Sequence, residues 1–161
     1  MAEKPSVYHL LKEASEKYPD KEAVFDGVHR ITFKQLEAEV QLIASALSAK
    51  GIKKGDRVMV SLPNWYEFVV IYFALAKLGV IAVPCNTRYR QDELIYILEN
   101  SGSKAMFVGK NFGFLDTFKE YLNNVDSSLE EIFTVRIKDS ELLSYTDLIE
   151  KGHQKEVVEV D

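Results

Sequence analysis

Residues 51–86, GIKKGDRVMVSLPNWYEFVVIYFALAKLGVIAVPCN, constrain the fold more than any other stretch, because they read as strand, apolar helix and strand with almost nothing between. Residues 58–62 form a short β-prone run, preceded by Gly51 and Gly55 and stopped by Pro63-Asn64, as suits an interior strand. Residues 65–78 have the length and composition of a helix. Phe68, Val69, Ile71, Tyr72, Phe73, Leu75 and Leu78 leave it no wide polar face, which predicts an enclosed helix ended by Gly79. Residues 80–83 then read as a second apolar strand, left at Pro84. A strand, a helix of about three turns and a strand make a parallel unit with a right-handed crossover. Residues 65–85 also approach the roughly 20 residues that a membrane helix needs. Lys77 inside that span would cost about 2.5 kcal/mol or more, and Gly79 and Pro84 punctuate its second half, so the sheet reading is preferred.

The same alternation runs along the rest of the chain. Ser6 is a plausible N-cap for a helix carrying Leu10, Leu11, Ala14 and Tyr18 on one side and ended by Pro19. Residues 23–25 and 30–33 flank Asp26-Gly27, a pair typical of a tight hairpin turn. Thr32 and Gln35 match a capping box ahead of Leu36, Val40, Ile43, Ala44 and Leu47, and Gly51 closes that helix. Asp92 and Glu93 suit a helix N-terminus, followed by Leu94, Ile97 and Leu98 on one face and the stop Ser101-Gly102. Further expectations are a strand at 105–108, a helix at 111–123, a strand at 132–137 and one helical turn at 145–149. Alternating helices and strands predict an α/β layered fold, a mostly parallel sheet flanked by helices.

Composition bounds function only loosely. The 161 residues are 47% hydrophobic and 28% charged, ordinary for a globular domain. A net charge of −5 without a basic stripe argues against nucleic-acid binding. One cysteine, Cys85, permits no internal disulfide, and the N-terminus lacks a signal-like apolar run, so a cytoplasmic setting is expected. His9, His29 and His153 lie on separate elements with no metal-ligand spacing, so no metal site is expected. Asp92-Glu93 and Glu130-Glu131 read as solvated charge, Cys85 as an inert buried thiol, and Phe68, Tyr72 and Phe73 as core. A phosphate-binding loop is missing: Gly102 and Gly109-Lys110 are misspaced, with AMFV filling the gap and Asn111 where Ser or Thr is needed, and there is no G-x-G-x-x-G.

Three marks recur in order: G-x-x-x-G-D-R-V within GIKKGDRV, P-N-x-x-E-F within PNWYEF, and P-x-N-T-R within PCNTR. With their surroundings, strongest over residues 23–108, they resemble the adenylate-forming (AMP-binding) ligases, particularly acyl-CoA synthetases. The resemblance implies that residues 1–161 are part of the large N-terminal domain of such an enzyme. It also implies a two-step reaction, in which a carboxylic acid, in the first place a fatty acid, attacks ATP to give an acyl-adenylate and pyrophosphate, then passes to coenzyme A with Mg²⁺ assisting. The family's phosphate loop, adenine and ribose motifs and catalytic lysine have no counterpart in this sequence, although VVEVD resembles the stretch just before that loop. The implied expectation is a piece inactive alone, with no catalytic residue and no bound cofactor.

Asn64 and Arg88 fall on the marks, and both are expected just past strand carboxyl ends, where open α/β sheets bind ligands. The resemblance implies a place near the acyl or coenzyme A route. Their ordinary alternatives are a turn after Pro63 and an ion pair of Arg88 with Asp92 or Glu93. Trp65 is read as core, with an acyl-tunnel wall as the alternative. Competing functions are a stand-alone binding module that kept the scaffold, an aryl-CoA ligase, and a peptide-synthetase adenylation domain. Sheet surface normally covered by later segments is expected to be exposed or buried in a homo-oligomer.

Overall fold

The computed structural model describes residues 6–110 and 112–154. Asn111 and the tail from residue 155, including VVEVD, lie outside the described residues. The elements run α1 (Val7–Lys17), β1 (Glu22–Phe25), β2 (Arg30–Thr32), α2 (Phe33–Ala49), β3 (Arg57–Ser61), α3 (Tyr66–Leu78), β4 (Ile81–Pro84), α4 (Gln91–Ser101), β5 (Ala105–Gly109), α5 (Leu115–Leu122), β6 (Glu131–Val135), β7 (Leu143–Ser144) and α6 (Tyr145–His153). β3 to β7 form one five-stranded sheet in the order β4-β3-β5-β6-β7, every pair parallel. β1 and β2 make a separate antiparallel ribbon.

The period-2 alternation of strand side chains sorts the core into two layers. Val58 and Val60 of β3, Ala105 and Phe107 of β5, and Phe133 and Val135 of β6 join the layer built with α1, α2, α3 and α6. Met59, Met106, Val108 and Ile132 join the opposite layer, with Leu94 and Leu98 of α4 and Phe118 of α5. Strands covered on both faces read as continuous apolar runs, which is why RVMVS and AMFVG carry no polar alternation. In α2, Leu36, Val40, Ile43, Ala44 and Leu47 are all buried, and the Thr32 Oγ1 accepts from the Gln35 N–H at 3.3 Å while the Gln35 Oε1 accepts from the Thr32 N–H at 2.8 Å. Gly79 terminates α3 with φ +67°, a left-handed position suited to a residue without Cβ.

Four local expectations are corrected. The Asp26-Gly27 turn is wider than a two-residue hairpin, since Phe25 pairs with Arg30. Asp26 Oδ1 accepts from the N–H groups of Val28 (3.0 Å) and His29 (2.7 Å), a side-chain-nucleated turn that competes with the tight one. In α1 the core side is Tyr8 and Leu11, while Leu10 is 62% exposed. α3 is not wholly enclosed: Tyr72 is 41% exposed, because the helix lies at the flank of its layer beside the outer strand β4, itself half-exposed. The predicted helix at 111–123 starts only at Leu115, because Phe112 and Phe114 turn inward to pack with the α5 layer around Gly113. The short β7, which sets the sheet's far edge, has too little sequence to show a pattern.

Candidate functional site

Strand order reverses direction between β3 and β5: from β3 the chain first moves outward to β4, then returns past β3 to lay down β5. The loops leaving two such strands diverge to opposite faces and leave a crevice at their carboxyl ends. A cleft of about 150 Å³ lies there, lined among others by Ser61, Pro63, Thr87, Tyr89, Gly109 and Phe112. Its hydroxyls and aromatic rings offer hydrogen bonds and flat apolar contact. Among the described residues the lining contains no Lys or Arg, so these residues do not grip a triphosphate.

Asn64 and Arg88 are each next in sequence to a lining residue, outside the lining itself, and both are exposed. The Arg88 N–H donates to the Asn86 Oδ1 at 2.9 Å. Its guanidinium makes no ion pair with Asp92 or Glu93 among the described residues, and Glu93 instead accepts from the Arg90 N–H at 2.7 Å. The local-acid alternative for Arg88 is therefore not what the structure shows.

Sequence reading missed a second polar assembly beside this cleft. Trp65 occupies the N-cap of α3, where its carbonyl accepts from the Phe68 N–H at 3.1 Å but its side chain offers no oxygen to the other first-turn N–H groups. Asp26 reaches in from the ribbon loop, its Oδ2 accepting from the Tyr66 N–H at 3.3 Å. The same oxygen accepts from Arg136 Nη2 at 2.7 Å, and Glu67 takes the Arg136 fork at 2.8 Å (Nε) and 2.9 Å (Nη2). The guanidinium also stacks over the Trp65 ring at 4.2 Å. Asp26 and Glu67 side chains are only 1% and 6% exposed, so both carboxylates depend on this cation. Arg136 adopts φ +60°, a left-handed backbone that costs a non-glycine residue about 1–2 kcal/mol, offset here by the fork and the stack. The three partners lie far apart in the sequence, and only Glu67 belongs to a recognised mark.

Electrostatics follow this geometry. The His29 N–H bond, then Arg136 and the N–H groups of Val28 and Tyr66, hold the Asp26 carboxyl well below the usual carboxylate range against the effect of burial. Burial raises Glu39, which accepts from the Tyr145 hydroxyl at 2.6 Å. A depressed Asp26 contributes stability that is present above its unfolded value, about 4, and lost as pH falls through its folded value. Asp26→Asn is therefore expected to lower the thermal midpoint at pH 7, with the gap from wild type narrowing at pH 3. An equal gap at both pH values would show that ionisation of Asp26 contributes nothing.

The remaining marks are structural. Arg57 donates from Nε to the Ser101 carbonyl and from Nη2 to the Gly102 carbonyl, both at 2.8 Å, tying the end of α4 to the amino edge of the sheet. The Gly55 N–H donates to the Gly79 carbonyl at 3.0 Å. Cys85 is buried, its thiol pushed up to about 11 by burial, in keeping with an inert residue. Among the described residues no cluster of His, Cys, Asp or Glu could hold a metal ion, and no helix is long and apolar enough to cross a membrane.

An open parallel sheet with its crevice at the switch point defines an α/β ligand-binding domain. The chain belongs to the AMP-binding enzyme family, which matches residues 11–160. Long-chain-fatty-acid–CoA ligase FadD13 of Mycobacterium tuberculosis is 45% identical over 80 residues, 50% of this chain and 16% of that ligase. The mitochondrial medium-chain acyl-CoA ligase ACSF2 of Mus musculus is 33% identical over 146 residues, 89% of this chain and 24% of that protein. The crystal structure of the N-terminal domain of FACL13 from Mycobacterium tuberculosis superposes with a TM-score of 0.77 at 27% identity, covering 98% of this chain and 38% of that one. The chain thus spans less than a quarter of the length of these two curated relatives.

Proposed function

We propose that this chain is the amino-terminal scaffold of a ligase that activates a carboxylic acid, in the first place a fatty acid, with ATP and transfers it to coenzyme A. The observation that carries the reading is the cleft at the β3/β5 switch point of a chain in this family, with the exposed Asn64 and Arg88 next in sequence to residues that line it. ATP and Mg²⁺ would supply the activated phosphoanhydride and the neutralisation of its charge. The described residues of the cleft do not fit that role, since its lining holds no Lys or Arg among them and no cluster of His, Cys, Asp or Glu among the described residues could hold a metal ion. Residues 1–161 are therefore assigned the wall and rim of the acyl or coenzyme A route, and phosphate handling is assigned to segments that the longer relatives carry. The exposed Arg88 is available to an anionic ligand group such as a coenzyme A phosphate. The setting is cytoplasmic, in keeping with a single unpaired cysteine. Ile81, 54% exposed on the outer strand β4, suits self-association of the isolated chain.

The test uses the full-length protein that contains this chain. Arg88→Ala is expected to raise KM for coenzyme A by roughly fivefold or more while ATP–pyrophosphate exchange with a fatty acid stays within about twofold. Unchanged KM values for both coenzyme A and acid would remove Arg88 from the route. The 161-residue chain alone is expected to show no exchange.

A further inference from the structure

The cleft and the Arg136 assembly meet at Gly109. A Cβ placed on Gly109, which lines the cleft, would lie 3.0 Å from Trp65 Cζ3 and 3.3 Å from its Cη2, so the indole edge backs the strand end that forms the cleft's inner wall. Arg136 covers the face of that ring, 4.2 Å from its centroid. The guanidinium has little freedom of its own, being forked onto Glu67 and bonded to Asp26. Glu67 sits in the first turn of α3, two residues beyond Trp65, so the clamp fixes the indole from above and the helix start from below.

We infer that Arg136 is a positioning residue for the cleft: it holds the Trp65 indole behind Gly109 and so braces the wall that the ligand meets. The inference rests on the cleft lying on the acid or coenzyme A route, as proposed above. Arginine is required because the role combines a planar fork onto a carboxylate with a flat stack on an aromatic face, and an ammonium group offers neither. The residue touches no reacting atom, and its effect passes entirely through Trp65.

Trp65 is the sole tryptophan of the chain, which gives the role a direct reporter. In the 161-residue chain, Arg136→Lys is expected to shift indole emission to the red and raise acrylamide quenching roughly threefold. In the full-length protein the same variant is expected to raise KM for coenzyme A or the acid by about tenfold, with kcat within about twofold. Adding Trp65→Phe should absorb most of that rise, since both changes act through one contact. Should Arg136→Lys not fold, Glu67→Gln keeps side-chain size and the Asp26 bond, weakens only the fork, and is expected to give a smaller change of the same sign. Unchanged quenching overturns the inference. So does increased quenching with unchanged KM values when Arg88→Ala does raise them, an outcome that leaves the proposed function intact. If Arg88→Ala and Arg136→Lys both leave every KM unchanged, the proposed route falls and this inference falls with it.

Discussion

Phe107→Ala is expected to lower stability by about 3–5 kcal/mol, the range for truncating a fully buried aromatic residue. Phe107 lies in the middle of β5, opposite Val60 on one side and Phe133 on the other, and is 0% exposed. Its ring sits 5.0 Å from that of Phe133, in the layer beneath α2, α3 and α6. Neighbours in two parallel strands cannot close the hole without breaking ladder hydrogen bonds, so relaxation recovers little. Against a typical total of about 5–15 kcal/mol this is a large share. Urea unfolding would show it as a lower midpoint at unchanged slope. Tyr96→Ala, at a residue 66% exposed on α4, serves as the reference and is expected near zero. A Phe107 loss below about 1 kcal/mol would mean that the sheet repacks freely, contrary to the close packing of protein interiors.

Gly152→Ala pits two effects against each other. Helix propensity alone favours alanine by about 1 kcal/mol, and Gly152 lies inside α6. A Cβ there would fall 2.5 Å from the Leu42 carbonyl oxygen and 2.8 Å from the Leu42 Cα, both backbone atoms of α2. Backbone cannot swing aside as a side-chain tip can, so α6 must lift from α2, an overpacking cost of about 1–3 kcal/mol. The clash wins, and net destabilisation is expected, increasing further with Gly152→Val. A thermal midpoint raised by the alanine variant would show that the two helices are not in contact through this glycine.

Much of the fold was legible because interior parallel strands and amphipathic helices write themselves into local sequence. RVMVS and AMFVG could hardly be anything else, and the α2 face from Leu36 to Leu47 follows the helical period without error. Local pattern failed where a side chain serves a distant partner. Asp26 looked like half of a tight turn, yet one of its oxygens builds a wider loop and the other caps α3 and holds Arg136. Arg136 had no signal at all: it follows a strand, in a left-handed conformation that sequence does not announce. Asn64 and Arg88 were picked out through sequence marks, and in the structure both are exposed and each is next in sequence to a residue that lines the cleft. The cleft itself emerges only from strand order, which no single segment encodes.

The contact of Gly152 with Leu42 also has a temporal meaning. Residues emerge from the ribosome in order, so α2 is complete about a hundred residues before α6 exists to cover it. Until Tyr145 and Leu148 dock, the apolar layer shared with Val40, Ile43, Ala44 and Leu47 stays incomplete. A nascent chain halted before residue 145 would present that bare flank to chaperones. The docking of α6 thus covers this flank of the helical layer, and its arrival marks the moment at which Val40, Ile43, Ala44 and Leu47 gain Tyr145 and Leu148 as neighbours.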